Sequence, residues 1–183
     1  MDLKSKHMLI AGTGRTGTSF LMQLLTNLGL DTGFKKGVQL EQGCNAGLES
    51  HLSNINKWNY IVKNPRFSLV LNKINADIDI EHIIIPIRDY RKVAESRERN
   101  GKKNGGFWMA EDYDNQILAN AYLTQTLIED IATFNIPHTF IWFDNMITSV
   151  DYLYDKISNI FNIDKSDFVK EYNEIIDIKK VNF

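Results

Sequence analysis

The sequence predicts an α/β fold: a three-layer sandwich with a central parallel sheet and helices on both faces. Three observations carry this. Short apolar runs alternate with stretches of helical periodicity along the chain. The run from His82 to Ile87 (HIIIPI) is apolar on both faces, as a central parallel strand requires. The first apolar run leads at once into a glycine-rich turn and a helix start, His7 to Ser19 (HMLIAGTGRTGTS). In such a turn, backbone N–H groups and the positive end of a helix converge on a phosphate.

The elements follow in order. The first strand is expected at about Met8 to Ala11, with a helix from roughly Gly17 to Leu28. Phe20, Leu21, Leu24, Leu25 and Leu28 share one helical face, and Gly29 is a stop signal. Residues 31 to 58 are rich in Gly, Asn and Gln, too long for a plain connector and of the kind that carries function. Tyr60 to Val62 is a short strand that Pro65 ends, before a helix from about Phe67 to Asn75. After the HIIIPI strand, whose Pro86 is acceptable near a strand end, a helix spans about Arg91 to Arg99. GKKNGG then reads as a mobile loop. A long helix is expected from about Glu111 to Phe134, with Ile117, Leu118, Ala121, Leu127, Ile128 and Ile131 as its core side. His138 to Phe143 (HTFIWF) is a further strand, and helices near Tyr152–Phe161 and Phe168–Ile176 close the chain.

Composition narrows the function classes. A chain of 183 residues with 43% hydrophobic and 24% charged content suits one domain, residues 1–183, with a sizeable core. A net charge of −2 gives no global attraction to nucleic acid or to an anionic membrane. A lone cysteine, Cys44, excludes an intrachain disulfide and fits a reducing compartment. The apolar run near the N-terminus is too short for a signal peptide, and no stretch approaches the ~18 apolar residues of a membrane span. The expectation is a cytoplasmic protein. His7, His82 and His138 each precede a predicted strand and have no metal-ligand spacing, so no metal site is expected.

The glycine loop admits three readings. Gly12-x-Gly14-x-x-Gly17 matches the dinucleotide pattern, but the fingerprint needs a second strand ending in an acid, and Asp31 follows the first helix with no room for that strand. Gly12 and Gly17 also fit the outer glycines of a nucleotide kinase or NTPase P-loop. There Thr18 stands where the phosphate-binding lysine belongs, and no Asp at a strand end is clearly placed for Mg²⁺, Asp89 and Asp144 being weak candidates. In the third reading the cation lies before Gly17 instead of after it. Arg15-Thr16-Gly17-Thr18-Ser19 resembles the 5′-phosphosulfate loop, [KR]-[ST]-G-[ST]-[ST], of sulfotransferases that use 3′-phosphoadenosine 5′-phosphosulfate (PAPS). The HIIIPI strand followed by Arg88, with Ser96 eight residues on, resembles that family's 3′-phosphate motif. An arginine fork and a hydroxyl suit a phosphate chemically. The other cations of that segment, Arg91, Lys92, Arg97 and Arg99, read as a basic, solvated helix face.

Softer matches extend the resemblance over residues 8 to 162. Asn45 to Glu49 (NAGLE) looks like a compressed N-x-x-G-[aromatic]-x-E stretch, Lys63-Asn-Pro65 like a K-x-P after the second core strand, and Trp142 to Met146 like a strand ending in an acid. The resemblance implies a P-loop-like sulfotransferase fold with PAPS as sulfuryl donor, PAP (3′-phosphoadenosine 5′-phosphate) as product and no required metal. It implies that Gly14, Arg15, Thr16, Gly17, Thr18 and Ser19 hold the 5′-phosphosulfate, with Arg15 catalytic, and that Arg88 and Ser96 hold the 3′-phosphate. For the general base, Glu49, Glu41 and His51 are candidates, Glu49 being favoured by the NAGLE match. Lys63 either contacts the sulfonate or acceptor or points into solvent. The segment Gly101 to Trp108 is either a lid over the acceptor or a surface loop. The acceptor is a small molecule or carbohydrate hydroxyl or amine, and a second copy of the chain (a homodimer) is one way to complete its site. The alternatives are a P-loop nucleotide or small-molecule kinase and a non-catalytic nucleotide-binding module.

Overall fold

The computed structural model describes residues 4–40, 47–101 and 109–176. Four parallel strands form one sheet in the order β2-β1-β3-β4: β1 (Lys6–Ile10), β2 (Ile61–Lys63), β3 (Asp79–Ile87) and β4 (His138–Trp142). The helices are α1 (Thr18–Asn27), α2 (Phe67–Ile74), α3 (Tyr90–Asn100), α4 (Tyr113–Phe134), α5 (Phe143–Thr148), α6 (Val150–Ile157) and α7 (Lys165–Ile175), with a 3₁₀ segment at Leu52–Lys57.

Strand side chains alternate between faces, so the sheet separates two cores. Met8, Ile10, Ile61, Ile84 and Ile141 pack against α1, α5, α6 and α7. Leu9, Val62, Ile83 and Ile85 pack against Phe67 and Leu71 of α2 and Leu127 and Ile131 of α4. This is the α/β sandwich that the apolar pattern predicts. The HIIIPI strand is central, between β1 and β4, and begins earlier than expected, at Asp79, because Lys6 and His7 of β1 extend the ladder to Asp79 and Ile80.

Two expectations about helices are corrected. Leu118 and Ile128 do not face the core: they are 66% and 42% exposed. The buried face of α4 is instead Gln116, Asn120, Leu123, Leu127 and Ile131. The first half of that face is polar, which misplaces Leu118, and Ile128 lies off the buried line of Leu123, Leu127 and Ile131 in the second half. The segment after β4 also turns at once into α5, where the sequence pattern suggested no helix before residue 152.

Chain order fixes where a ligand can sit. From β1 the chain crosses by α1 to β2 on one side. It then crosses by α2, on the opposite face, to β3 on the other side. The carboxyl ends of β1 and β3 therefore border a topological switch point, where open parallel sheets leave a crevice. The glycine loop leaves β1 there, and Arg88 follows β3. Among the described residues no helix is long and apolar enough to cross a membrane.

Candidate functional site

The glycine loop is held in a left-handed conformation. Gly14, Arg15 and Gly17 have φ of 75°, 59° and 93°. Runs of such residues curl the backbone so that N–H groups face a common concavity. Among the described residues, the amides of Gly14, Thr16, Gly17 and Thr18 donate to no main-chain carbonyl. The Thr16 hydroxyl, in a side chain only 3% exposed, makes no hydrogen bond among those residues. A buried hydroxyl without a partner is costly unless something else binds it. Close packing leaves no room for side chains here: a Cβ on Gly12 would stand 2.8 Å from Thr16 Oγ1, and one on Gly17 would stand 2.9 Å from Phe143 Cδ2. Gly17 is the N-cap of α1, whose positive end points at the loop.

The two motifs that resemble phosphate sites converge. Arg15 Nε donates to Ser96 Oγ at 3.1 Å, and Arg88 Nη1 donates to the Arg15 carbonyl at 3.2 Å. Arg88 is buried, with its guanidinium carbon 4.3 Å from the centre of the Phe143 ring. Burial pushes the Arg88 pKa below the usual arginine range. Asp144 opposes that push, and Arg15 and Arg99 add to it. α5 thus supplies both the ring under Arg88 and the wall against Gly17.

A second cluster forms at the end of β2. Lys63 is buried, and Nζ donates to Ser19 Oγ at 2.9 Å and to the Gly47 carbonyl. Glu49 Oε1 lies 3.6 Å from the same ammonium. The segment is fastened to β2, since Ser50 N donates to the Lys63 carbonyl at 2.8 Å and Asn64 Nδ2 to the Ser50 carbonyl at 2.9 Å. Leu48, left-handed at φ 59° and buried, anchors it from the other side. The expectation that Lys63 points into solvent is thereby excluded. Glu49 is half exposed. His51 is exposed, while Glu41 lies outside the described residues, as do Cys44 and residues 102–108 of the expected lid.

One residue of this site was placed wrongly by sequence reasoning. Arg97 is not on a solvated face but 2% exposed. Its guanidinium donates to the Thr13 carbonyl of the glycine loop and to Gln116 Oε1 on α4. Burial lowers its pKa to about 10, with Arg15 adding to the shift. The signal was helical spacing: Val93, Ala94, Ser96 and Arg97 form the buried side of α3.

Residues that served the competing readings have structural partners. Asp31 accepts from Asn59 Nδ2 at 2.7 Å and from Tyr60 N at 3.0 Å, tying down the start of β2. Asp89 caps α3 by accepting from Arg91 N at 2.7 Å. His7 lies within β1, bonded to the Asn59 carbonyl and Ser5 Oγ, and His82 lies within β3, bonded to Thr139 Oγ1. Among the described residues no cluster of His, Cys, Asp and Glu could hold a metal. A cavity of about 620 Å³ bordered by Tyr60, Glu81, His82 and Lys156 opens toward the other end of the strands, away from the glycine loop.

The architecture has known counterparts. The structure superposes on the sulfotransferase domain from the curacin biosynthetic pathway with a TM-score of 0.61, covering 93% of this chain and 79% of that one at 12% identity. The fold is that of a sulfotransferase domain. A second such domain, from the Synechococcus olefin synthase, aligns with a TM-score of 0.53 over 97% of this chain and 83% of that one at 14% identity. No family model matches the sequence, and the comparison with curated proteins finds no match. The sulfotransferase fold is therefore carried by a sequence in which few positions coincide with these neighbours.

Proposed function

We propose that the chain is a sulfotransferase that moves a sulfuryl group from PAPS to a hydroxyl or amine of a small-molecule or carbohydrate acceptor. The observation that carries this reading is the contact between the two phosphate motifs, Arg15 to Ser96 and Arg88 to the Arg15 carbonyl, at the switch point of the sheet. The loop also fits the donor. It offers backbone N–H groups, a Thr16 hydroxyl with no hydrogen-bond partner among the described residues, and positions where only glycine fits.

The donor supplies a sulfuryl group whose bond to the bridging 5′-phosphate oxygen breaks as a bond from acceptor oxygen or nitrogen to sulfur forms. Positioning and charge stabilisation dominate such in-line transfers. In this reading the amides and hydroxyls from Gly14 to Ser19 hold the 5′-phosphosulfate, and Arg15 neutralises the charge left on the bridging oxygen. Arg88 and Ser96 select the 3′-phosphate. Lys63 lies beside Ser19 and attracts the sulfonate oxygens. Glu49 takes the acceptor proton, its carboxylate held 3.6 Å from the Lys63 ammonium.

Thermal shift tests the reading, since a ligand bound only to the native state stabilises it by mass action. PAP is expected to raise the melting temperature more than ADP with Mg²⁺ or NAD. A rise with ADP and Mg²⁺ alone would replace the sulfotransferase by a kinase.

A further inference from the structure

Alternate carbonyls of the glycine loop are gripped by two arginines of one segment. Arg97 donates to the Thr13 carbonyl, and Arg88 donates to the Arg15 carbonyl. The peptide unit is planar and trans, so its C=O and N–H point in opposite directions, and no peptide in the described structure is cis. Holding the Thr13 oxygen fixes the direction of the Gly14 N–H, and holding the Arg15 oxygen fixes that of the Thr16 N–H. These two amides lack main-chain acceptors among the described residues. The peptides concerned flank Gly14 and Arg15, both left-handed, a conformation that costs a non-glycine residue such as Arg15 and persists where its surroundings hold it.

We infer that Arg88 and Arg97 are positioning residues that lock alternate peptides of the loop, aiming the Gly14 and Thr16 N–H groups at the 5′-phosphate end of the donor. Gln116 completes the device. It is fully buried, accepts from Arg97, and donates to the Ala110 carbonyl, which anchors the Arg97 guanidinium from α4. On the same buried face Asn120 donates to the Gln116 carbonyl at 2.7 Å. Arg88 thereby serves the 5′ end of the donor as well as the 3′ end. The inference rests on the donor reading above.

Calorimetric titration with 5′-AMP, 3′-AMP and PAP tests it. Arg97→Met is expected to weaken 5′-AMP and PAP roughly ten- to hundredfold, the affinity equivalent of one charge-assisted bond, and to leave 3′-AMP unchanged. Arg97→Lys restores part of the loss. Arg88→Met weakens 5′-AMP as well as 3′-AMP. In wild type the amide resonances of Gly14 and Thr16 shift on addition of 5′-AMP, and in Arg97→Met they do not. Gln116→Met keeps the cation and removes its anchor, so a weaker loss for 5′-AMP is expected even where Arg97→Met does not fold. Unchanged 5′-AMP affinity in these variants, or an equal loss for 3′-AMP in Arg97→Met, overturns the inference and leaves the donor reading standing. A wild-type protein that binds neither PAP nor 5′-AMP overturns both.

Discussion

Arg15 Nε donates to Ser96 Oγ at 3.1 Å, joining residues 81 positions apart in the chain. The bond unites the loop after β1 with the helix after β3, so each proposed phosphate site shares a residue contact with the other. Groups in contact act as a unit, and their substitutions do not add. Arg15→Met and Ser96→Ala are therefore expected to show a coupling energy of about 0.5–3 kcal/mol in PAP affinity, measured by a calorimetric double-mutant cycle. Strict additivity would mean that the contact is incidental.

Gly17→Ala separates sterics from conformational preference. The new methyl would meet Phe143 Cδ2 at 2.9 Å, at a φ of 93°. Left-handed backbone costs a non-glycine residue about 1–2 kcal/mol, and overpacking adds roughly 1–3 kcal/mol. Gly29→Ala is the control, because its φ is 80° and nothing lies within 4 Å. Urea denaturation should show the larger loss at Gly17, together with loss of PAP binding. Equal losses would refute the packing of α5 against the loop.

Lys63 and Glu49 divide their expected effects. Glu49→Gln should lower turnover by roughly 10²–10⁴-fold, the usual contribution of a general base, with PAP affinity intact. Lys63→Met removes the ammonium from the Ser19 hydroxyl and from the Gly47 carbonyl, which keeps only a 3.4 Å bond from Ser19 Oγ, so it should also cost about 1–3 kcal/mol of stability. PAP release across an acceptor panel, paired with urea melts, distinguishes the two. A Glu49→Gln enzyme of full activity would shift the base to Glu41 or His51.

Two tyrosines predict an alkaline signature. Burial first, and then the hydrogen bond to Glu81, raises Tyr60 to about 12 from 10.0. Burial raises Tyr172 to about 12 as well. A folded pKa raised above the unfolded one gives stability that is complete below pH 10 and is lost as pH climbs through 12. Denaturant midpoints should fall across that window, and less so in Tyr60→Phe. Absorbance at the phenolate band should show two tyrosines titrating late in the native protein.

The α4 helix shows where sequence reading stops. In its second half Leu127 and Ile131 were legible as core, while Ile128 is 42% exposed and the fully buried Leu123 was not read from the pattern. Its first half buries Gln116, which accepts from Arg97, and Asn120, which donates to the Gln116 carbonyl, and no apolar pattern can reveal a buried face that is polar. Arg97 was misread because in a run with Arg91, Lys92 and Arg99 it looks like any solvated cation, although it shares one helical side with Val93, Ala94 and Ser96, and packing of α3 removes that side from water. Local pattern fails at the site because the site departs from the rule that hydrophobic residues face inward.

The sequence by itself determined the parallel α/β sheet, the central place of the HIIIPI strand and the positions of the glycine loop, Arg88 and Ser96. Those features are written in local periodicity and in residues that only special backbone conformations accept. The tertiary structure alone decided that Arg15 meets Ser96, that Lys63 is buried beside Glu49, and that Arg88 and Arg97 grip alternate carbonyls of one loop. Each of these joins segments far apart in the chain, and their meeting depends on strand order and helix packing, which no single stretch of sequence encodes.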